Sequence, residues 1–482
     1  MSEAKKIDAA IRHYDVLLDK HTQNLQQLTE EMSAACISAK LTFGGRTMFN
    51  VLRPNFLTTL QYDYLSTICS HLRNAITKFK NAALMDDSLM NQMGLIPQER
   101  KLVGIDPGYD RLSISARWDS FLAGDDLKFV ELNAECPAGI AYQEVATAIY
   151  KKLPFVREFA RSYHIQNHAI RRTLLNELLK TYRTWRGTKT VGRPTIAIVD
   201  WSDVPTYTEF ELFADYFGRA GYKTIIADPR DLEFDGKYLR KGKTKINIVY
   251  KRVLTNDCVQ RPDETKALVE ACRHLKVCMI NPFRAKIVHK KAIFAILTHE
   301  RNAHLFNKAE LKVIGKHIPW TRMLVKEKTK MGTKDIDLVD YAMRHREGLV
   351  LKPNDEYGGK GVALGREVSQ SDWEKRIAVA LEEGDHIVQE VVKIPRARFP
   401  IMRDGKLQFE EMVVDLDPYV FGPRVEGVLT RLSASSLANV TAGGGTTPTF
   451  VIHKITSSRS NARSLAGKAF RQKRSSKGRL RP

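Results

Sequence analysis

Apolar residues in the first hundred positions recur every three to four places. Ile7, Ile11, Tyr14 and Leu18 begin a stripe that Leu25, Leu28 and Met32 continue, and a second apolar stretch runs from Phe56 to about Leu84. Side chains at that spacing share one face of a helix, so this region is predicted to be helical. The period shortens to two after Leu112, where LSISARW and LKFVELN read as strands joined by the turn-like AGDD. A helix over Leu175–Arg186 leads into the apolar run TIAIVDW, an amphipathic helix across YTEFELFADYFGRAG that Gly221 closes, the run YKTIIAD and the strand INIVYKR. Strands alternating with a helix predict a βαβ unit. A further α/β layer runs from Ile280 to about Ile455. The pattern predicts an α/β (α+β) chain in five parts: a helical region 1–100, a strand segment 101–160, a βαβ domain 161–280, a second α/β region 281–452 and a tail 453–482.

Composition narrows the class. With 482 residues, 43% of them hydrophobic, the chain can bury more than one core. No apolar run approaches the roughly 18 residues that span a bilayer. The opening MSEAKKIDAAIRHYDVLLDK lacks the apolar core of a secretion signal, so a cytoplasmic location is expected. Cys36, Cys69, Cys136, Cys258, Cys272 and Cys278 form no CxxC pair and are expected to be reduced, packed thiols rather than zinc ligands. The net charge of +22 invites a nucleic-acid reading. Yet ten Lys and Arg and no acidic residue lie between His453 and Pro482, which leaves +12 spread over the body. That Ser- and Gly-rich tail is expected to be a disordered extension, with nucleic-acid binding through it as the rival reading.

Four stretches carry candidate chemistry. RWDSFLAGDDLKFVELN places Arg117 and Asp119 on one strand and Glu131 and Asn133 on the next, each pair two apart and so on one face. GLVLKPNDEYGGKGVALG runs from a strand into Lys352, then a loop with Gly358, Gly359, Lys360 and Gly361, then a second strand. A Walker loop needs GxxxxGK[ST] between strand and helix, so this is instead a hairpin suited to lie over a triphosphate, or a plain surface hairpin. HIVQEVVKIP reads as a buried strand whose Gln389 and Glu390 suit an adenine-facing hinge, the alternative being an ordinary amphipathic strand. NPFRAKIVHKKAIFAIL sets Lys286, Lys290 and Lys291 before an apolar helix, where positive charge is unfavourable unless an anion lies near. The βαβ unit lacks GxGxxG, and the histidines of THERNAH lie five apart, unlike those of HExxH.

Taken together, LKPNDEYGGKGV, VQEVV and VDLDPYVFGPRVEGVLTRLSASSLANV resemble an ATP-grasp ligase. Because RWD and ELN precede the glycine loop rather than follow it, the chain resembles the circularly permuted ATP-grasp enzymes related to glutathionylspermidine synthase. The likeness covers about residues 110 to 452. It implies ATP and Mg²⁺, two ions being expected, held by Asp119, Glu131 and Asn133, with Arg117 at the transferred phosphoryl group. It further implies that Lys352 meets the phosphates, that Gly358–Gly361 closes over them, and that Lys291, or else Lys286, supplies the second lysine. Arg431 and Asn439 are implied for the triphosphate or the acceptor. The implied reaction joins a small carboxylate to an amine, with no amidase domain; the alternative is a non-catalytic relic used as a nucleic-acid or protein-binding module.

Overall fold

The structure, a computed structural model, describes residues 2–43, 45–189, 192–356, 358–434 and 445–455. Asn439 and residues 456–482 of the basic tail lie outside the described residues. Helices α1 (Glu3–Lys20) and α2 (Leu25–Ser38) form along the first stripe and bury Tyr14, Leu18, Leu25 and Met32. The second apolar stretch is not one helix. Its first residues, NFLT, form the strand β1 (Asn55–Thr58), rich in aromatic and β-branched character. Helix α3 (Thr59–Ala83) starts only after Thr58 and Gln61 exchange capping bonds of 3.2 and 3.0 Å.

Strands β2 (Ser115–Ala123) and β3 (Asp126–Asn133) form the expected antiparallel hairpin. After helices α4 (Ile140–Tyr150) and α5 (Ile170–Arg186) comes the βαβ region: β4 (Ile196–Val199), α6 (Tyr207–Arg219), β5 (Thr224–Ala227), β6 (Ile248–Lys251) and β7 (Cys278–Ile280). These strands pair in parallel in the order β7-β6-β4-β5. Ile196, Ile198 and Ile248 pack on α5 and α6 from one face, and Ala197, Val199 and Val249 face Leu268 and Cys272 on the other. A sheet covered on both faces accounts for the unbroken apolar runs. Strand order reverses between β4 and β6, which opens a crevice at their carboxyl ends.

Past helix α7 (Ala292–Thr298), strands β8 (Thr321–Met323), β9 (Leu349–Pro353), β10 (Ala363–Leu364) and β11 (His386–Glu390) form an antiparallel sheet in the order β8-β11-β9-β10. The chain then returns through β12 (Lys406–Phe421), β13 (Arg424–Ser433) and β14 (Gly445–Lys454) to the first hairpin, giving the order β1-β14-β13-β12-β2-β3. Trp118, Leu132 and Leu416 pack from this large sheet against α3 and α7. Side chains alternate across a strand, so Arg117, Asp119, Glu131, Asn133 and Asp415 occupy the opposite face.

Candidate active site

Four adjacent strands build that opposite face. Across β2 and β3, Arg117 lies opposite Asn133 and Asp119 opposite Glu131. On the other side of β2, Tyr419 of β12 lies opposite Arg117, and Asp415 of β12 lies opposite Arg431 of β13. Segments far apart in sequence thus meet. The guanidinium of Arg117 grips Asp119 with bonds of 3.0 and 3.3 Å, and Arg431 reaches Asp119 at 2.7 Å, Asp417 at 2.9 Å, and Asp415. Asn133 adds an amide donor to Asp119 at 3.1 Å.

These contacts set the charges. Burial works against ionising Asp119, but Arg117 and Arg431 outweigh it and hold the carboxyl at about 2. Burial prevails at Asp415 and Asp417, whose carboxyls are pushed up. Both oxygens of Asp417 and one of Asp415 lack a hydrogen-bond partner among the described residues. Asp119, Asp415 and Asp417 each place an oxygen within 4.8 Å of the others. Three buried carboxylates, two of them with oxygens that no hydrogen bond satisfies, fit a hard divalent cation such as Mg²⁺. The sequence reading found Asp119 but passed over Asp415 and Asp417. Their signal is the DLD spacing, which puts two carboxylates on one face of the apolar half of the strand, Met412–Phe421.

A cavity of about 660 Å³ opens over this face. On its far wall β9 contributes Lys352, whose ammonium donates to Gln389 of β11 at 2.7 Å and to the Val130 carbonyl at 3.3 Å. The Val130 contact arises from a β-bulge. Asp119 pairs with Glu131 and Ser120 with Phe129, so Val130 has no partner in the ladder. Burial pushes the Lys352 ammonium down to about 8, although Glu131 opposes the shift. Lys291 sits 3.4 Å from Glu131 and donates to the Glu356 carbonyl. Gly358 and Gly359 line the opening with φ of +69° and +77°. Val350, Leu364, Val391 and Ile394 form an apolar slot beside Gln389 and Glu390.

Three of the expected nucleotide residues lie off the cavity lining. Lys286 is buried among Asp355 at 2.5 Å, Glu99 at 3.3 Å and Glu135 at 3.9 Å, so of the two candidate lysines it is Lys291 that faces the cavity. Lys360 points outward and pairs with Glu356 at 2.9 Å. Gly361 packs tightly at the base of the loop: its φ is +72°, and a Cβ there would meet Pro353 at 2.6 Å. The cavity's other lobe, which the sequence reading did not find, is lined by Cys136, Asp200, Trp201, Arg252 and Arg261, from the crevice at the ends of β4 and β6.

Comparison with known proteins matches residues 123–433 to the profile of the family described as circularly permuted ATP-grasp type 2. The chain is similar in fold to a glutathione synthetase-like effector from Globodera pallida, with a TM-score of 0.57 at 12% identity, covering 89% of this chain and 97% of that one. A putative γ-glutamylcysteine synthetase from Methylobacillus flagellatus aligns over 80% of this chain and 85% of that one at 11% identity, with a TM-score of 0.39. An uncharacterized protein of Synechocystis sp. is 26% identical over 252 residues, and the match spans about half the length of each chain, 48%.

Proposed function

The chain belongs to the circularly permuted ATP-grasp type 2 family, and from that premise we propose that it is an ATP-dependent ligase that joins a carboxylate to an amine through an acyl phosphate. One observation carries the reading: Asp119 and Asp415, with Asp417 buried beside them, face Lys291, Lys352 and the Gly358–Gly359 turn across a single cavity. A fold alone would not license it, since one fold hosts many chemistries.

In this reading the triphosphate lies between the acidic face and the glycine hairpin. Lys352 and Lys291 meet its phosphates, and the amides at Gly358 and Gly359 cover them. Asp119, Asp415 and Asp417, with Glu131 and Asn133, would hold Mg²⁺, which when bound offsets the phosphate charge and draws electrons from the γ-phosphorus. Arg117, aligned by Asp119, faces the charge that develops on the transferred phosphoryl group. Gln389, Glu390 and the apolar slot receive the base. The substrate carboxylate attacks the γ-phosphorus, ADP leaves, and an amine then displaces phosphate from the acyl carbon. No protein nucleophile is required, in keeping with Cys136, whose thiol burial pushes up to about 11.

Hydroxylamine tests this without knowledge of the amine. Incubated with ATP, Mg²⁺ and a panel of small carboxylates, the chain should release ADP and form hydroxamate in equal amounts for at least one acid. ADP release without hydroxamate, or no turnover across the panel, would overturn the acyl-phosphate reading.

A further inference from the structure

The cavity's second lobe is distinct in origin and in charge. It lies where the parallel sheet reverses its strand order, between the ends of β4 and β6. Asp200 follows β4 directly and Arg252 follows β6 directly. Asp200 is 8% exposed. One of its carboxylate oxygens accepts the Trp201 amide at 2.9 Å, and the other has no hydrogen bond or ion pair among the described residues. A carboxylate so buried and half-satisfied is costly unless something outside the chain completes it. Arg252 makes no bond to it: its two terminal nitrogens go to the Pro137 carbonyl at 2.6 Å, the Tyr250 hydroxyl at 3.2 Å and Glu209 at 3.5 Å.

The lobe's second unpaired charge is cationic. The guanidinium of Arg261 lies 4.5 Å from the centre of the Trp201 ring and has no ion-pair partner among the described residues. Asp200, on the Trp201 amide, and Arg261, on the Trp201 ring, therefore line the lobe with no ion pair between them. Around them, Tyr142, Val204 and Leu254 supply apolar wall. The lobe adjoins the acidic face, since Arg252 and Arg117 hold the successive carbonyls of Pro137 and Ala138, at 2.6 and 3.2 Å.

We propose that this lobe is the acceptor subsite and takes a monoamine carrying its own carboxylate, with Asp200 binding the ammonium and receiving its proton and Arg261 facing the carboxylate. The inference rests on the ligase reading and names the acceptor class for it. A polyamine suits the lobe less well, because Arg252 and Arg261 line it and the second carboxylate there, Asp257, already accepts the Leu254 amide at 3.1 Å. The groups acting on Asp200 are consistent with the role. Burial pushes its carboxyl up to about 7, against Arg252 and Lys251 and with Asp257. A base poised there can take a proton from an ammonium at neutral pH. In the step itself Asp200 accepts one ammonium proton, and the freed lone pair forms the C–N bond. The acyl C–O bond to phosphate then breaks, and the remaining excess proton leaves with inorganic phosphate.

The test is calorimetric titration of the full chain, in Mg²⁺ and a non-hydrolysable ATP analogue, with the protein amino acids, their deaminated acids, and spermidine. The wild type should bind at least one amino acid, and neither its deaminated acid nor spermidine. Asp200→Asn, which keeps the acceptor for the Trp201 amide, should weaken that amino acid by about tenfold or more, the scale of a lost charge-assisted bond. Arg261→Gln should weaken it more than it weakens the corresponding amino-acid amide. Undiminished binding in Asp200→Asn, preference for spermidine, or binding of no amino acid overturns the subsite. Failure of the wild type to bind the nucleotide analogue would instead fell the ligase reading beneath it.

Discussion

Lys352 is a cation that its surroundings barely tolerate. With its ammonium near 8 in the free chain, about half is neutral at that pH, and a triphosphate laid against it restores the charge. The sign follows: between pH 8 and 10 nucleotide binding takes up a proton, so affinity should fall as pH rises above about 8. Calorimetry at pH 8.5 in buffers of different ionisation enthalpy should reveal that uptake, and Lys352→Met should abolish it along with most of the affinity. Gly139 makes a steric rather than an electrostatic prediction. Its φ is +93°, and a Cβ would sit 2.5 Å from the Tyr419 hydroxyl, which donates to Ala138 at 3.1 Å beside Arg117. Gly139→Ala should cost about 1–3 kcal/mol, from strain and clash together. In a Tyr419→Phe background thermal denaturation should register a smaller loss, because the clash is gone and only the backbone strain stays.

The element that matters most is the glycine hairpin, and a single buried asparagine sets its base. Asn354 accepts the Ala292 amide at 2.8 Å, donates to Asp385 at 2.8 Å and to the Met93 carbonyl at 3.1 Å, and through its own carbonyl takes the Lys291 amide at 2.9 Å. One residue therefore locates the hairpin and Lys291 together, its side chain holding the neighbouring Ala292 amide and its backbone the Lys291 amide. Asn354→Ala should lose about 1–3 kcal/mol of stability through orphaned buried partners and should raise KM for ATP more than it lowers kcat. Legibility differs sharply between elements. The strand pairs, the βαβ unit and the hairpin stand out in sequence because period and turn residues are local properties. The strand β1 did not, because NFLT is too short to show a period and is held in place by β14, far along the chain. Asp415 and Asp417 were hidden for a related reason: that they belong beside Asp119 is decided by β12 pairing with β2. Asp200 gave no signal at all, since only the strand order makes the end of β4 a crevice.

Across the whole molecule, Lys286 ties together parts that the sequence keeps apart. Glu99 comes from the N-terminal region, Glu135 from the end of the first hairpin, and Asp355 from the base of the glycine loop, and all three converge on its ammonium. Charge explains why this lysine is buried without facing the cavity: burial opposes its ionisation, but the three carboxylates prevail and raise its pKa. Lys286→Met would leave Asp355 without its cation, while Glu99 keeps Lys290 at 3.0 Å and Glu135 keeps Lys251 at 3.6 Å, and should cost about 3 kcal/mol in urea denaturation, as for a broken buried ion pair. The permuted order becomes intelligible at this scale: Arg117, Asp119, Glu131 and Asn133 come early in the chain, and Asp415 and Arg431 join them on the same sheet from beyond the lysine and glycine segment that faces them over one cavity. Among the described residues no helix is long and apolar enough to cross a membrane. The central claim is that this cavity binds ATP through a metal held on the acidic face. Its most direct test is calorimetry of ATP binding with and without Mg²⁺, in the wild type and in Asp119→Asn. The account predicts Mg²⁺-dependent binding in the wild type and a loss of about tenfold or more in a folded Asp119→Asn; equal affinity in the two proteins, or binding indifferent to Mg²⁺, would contradict it.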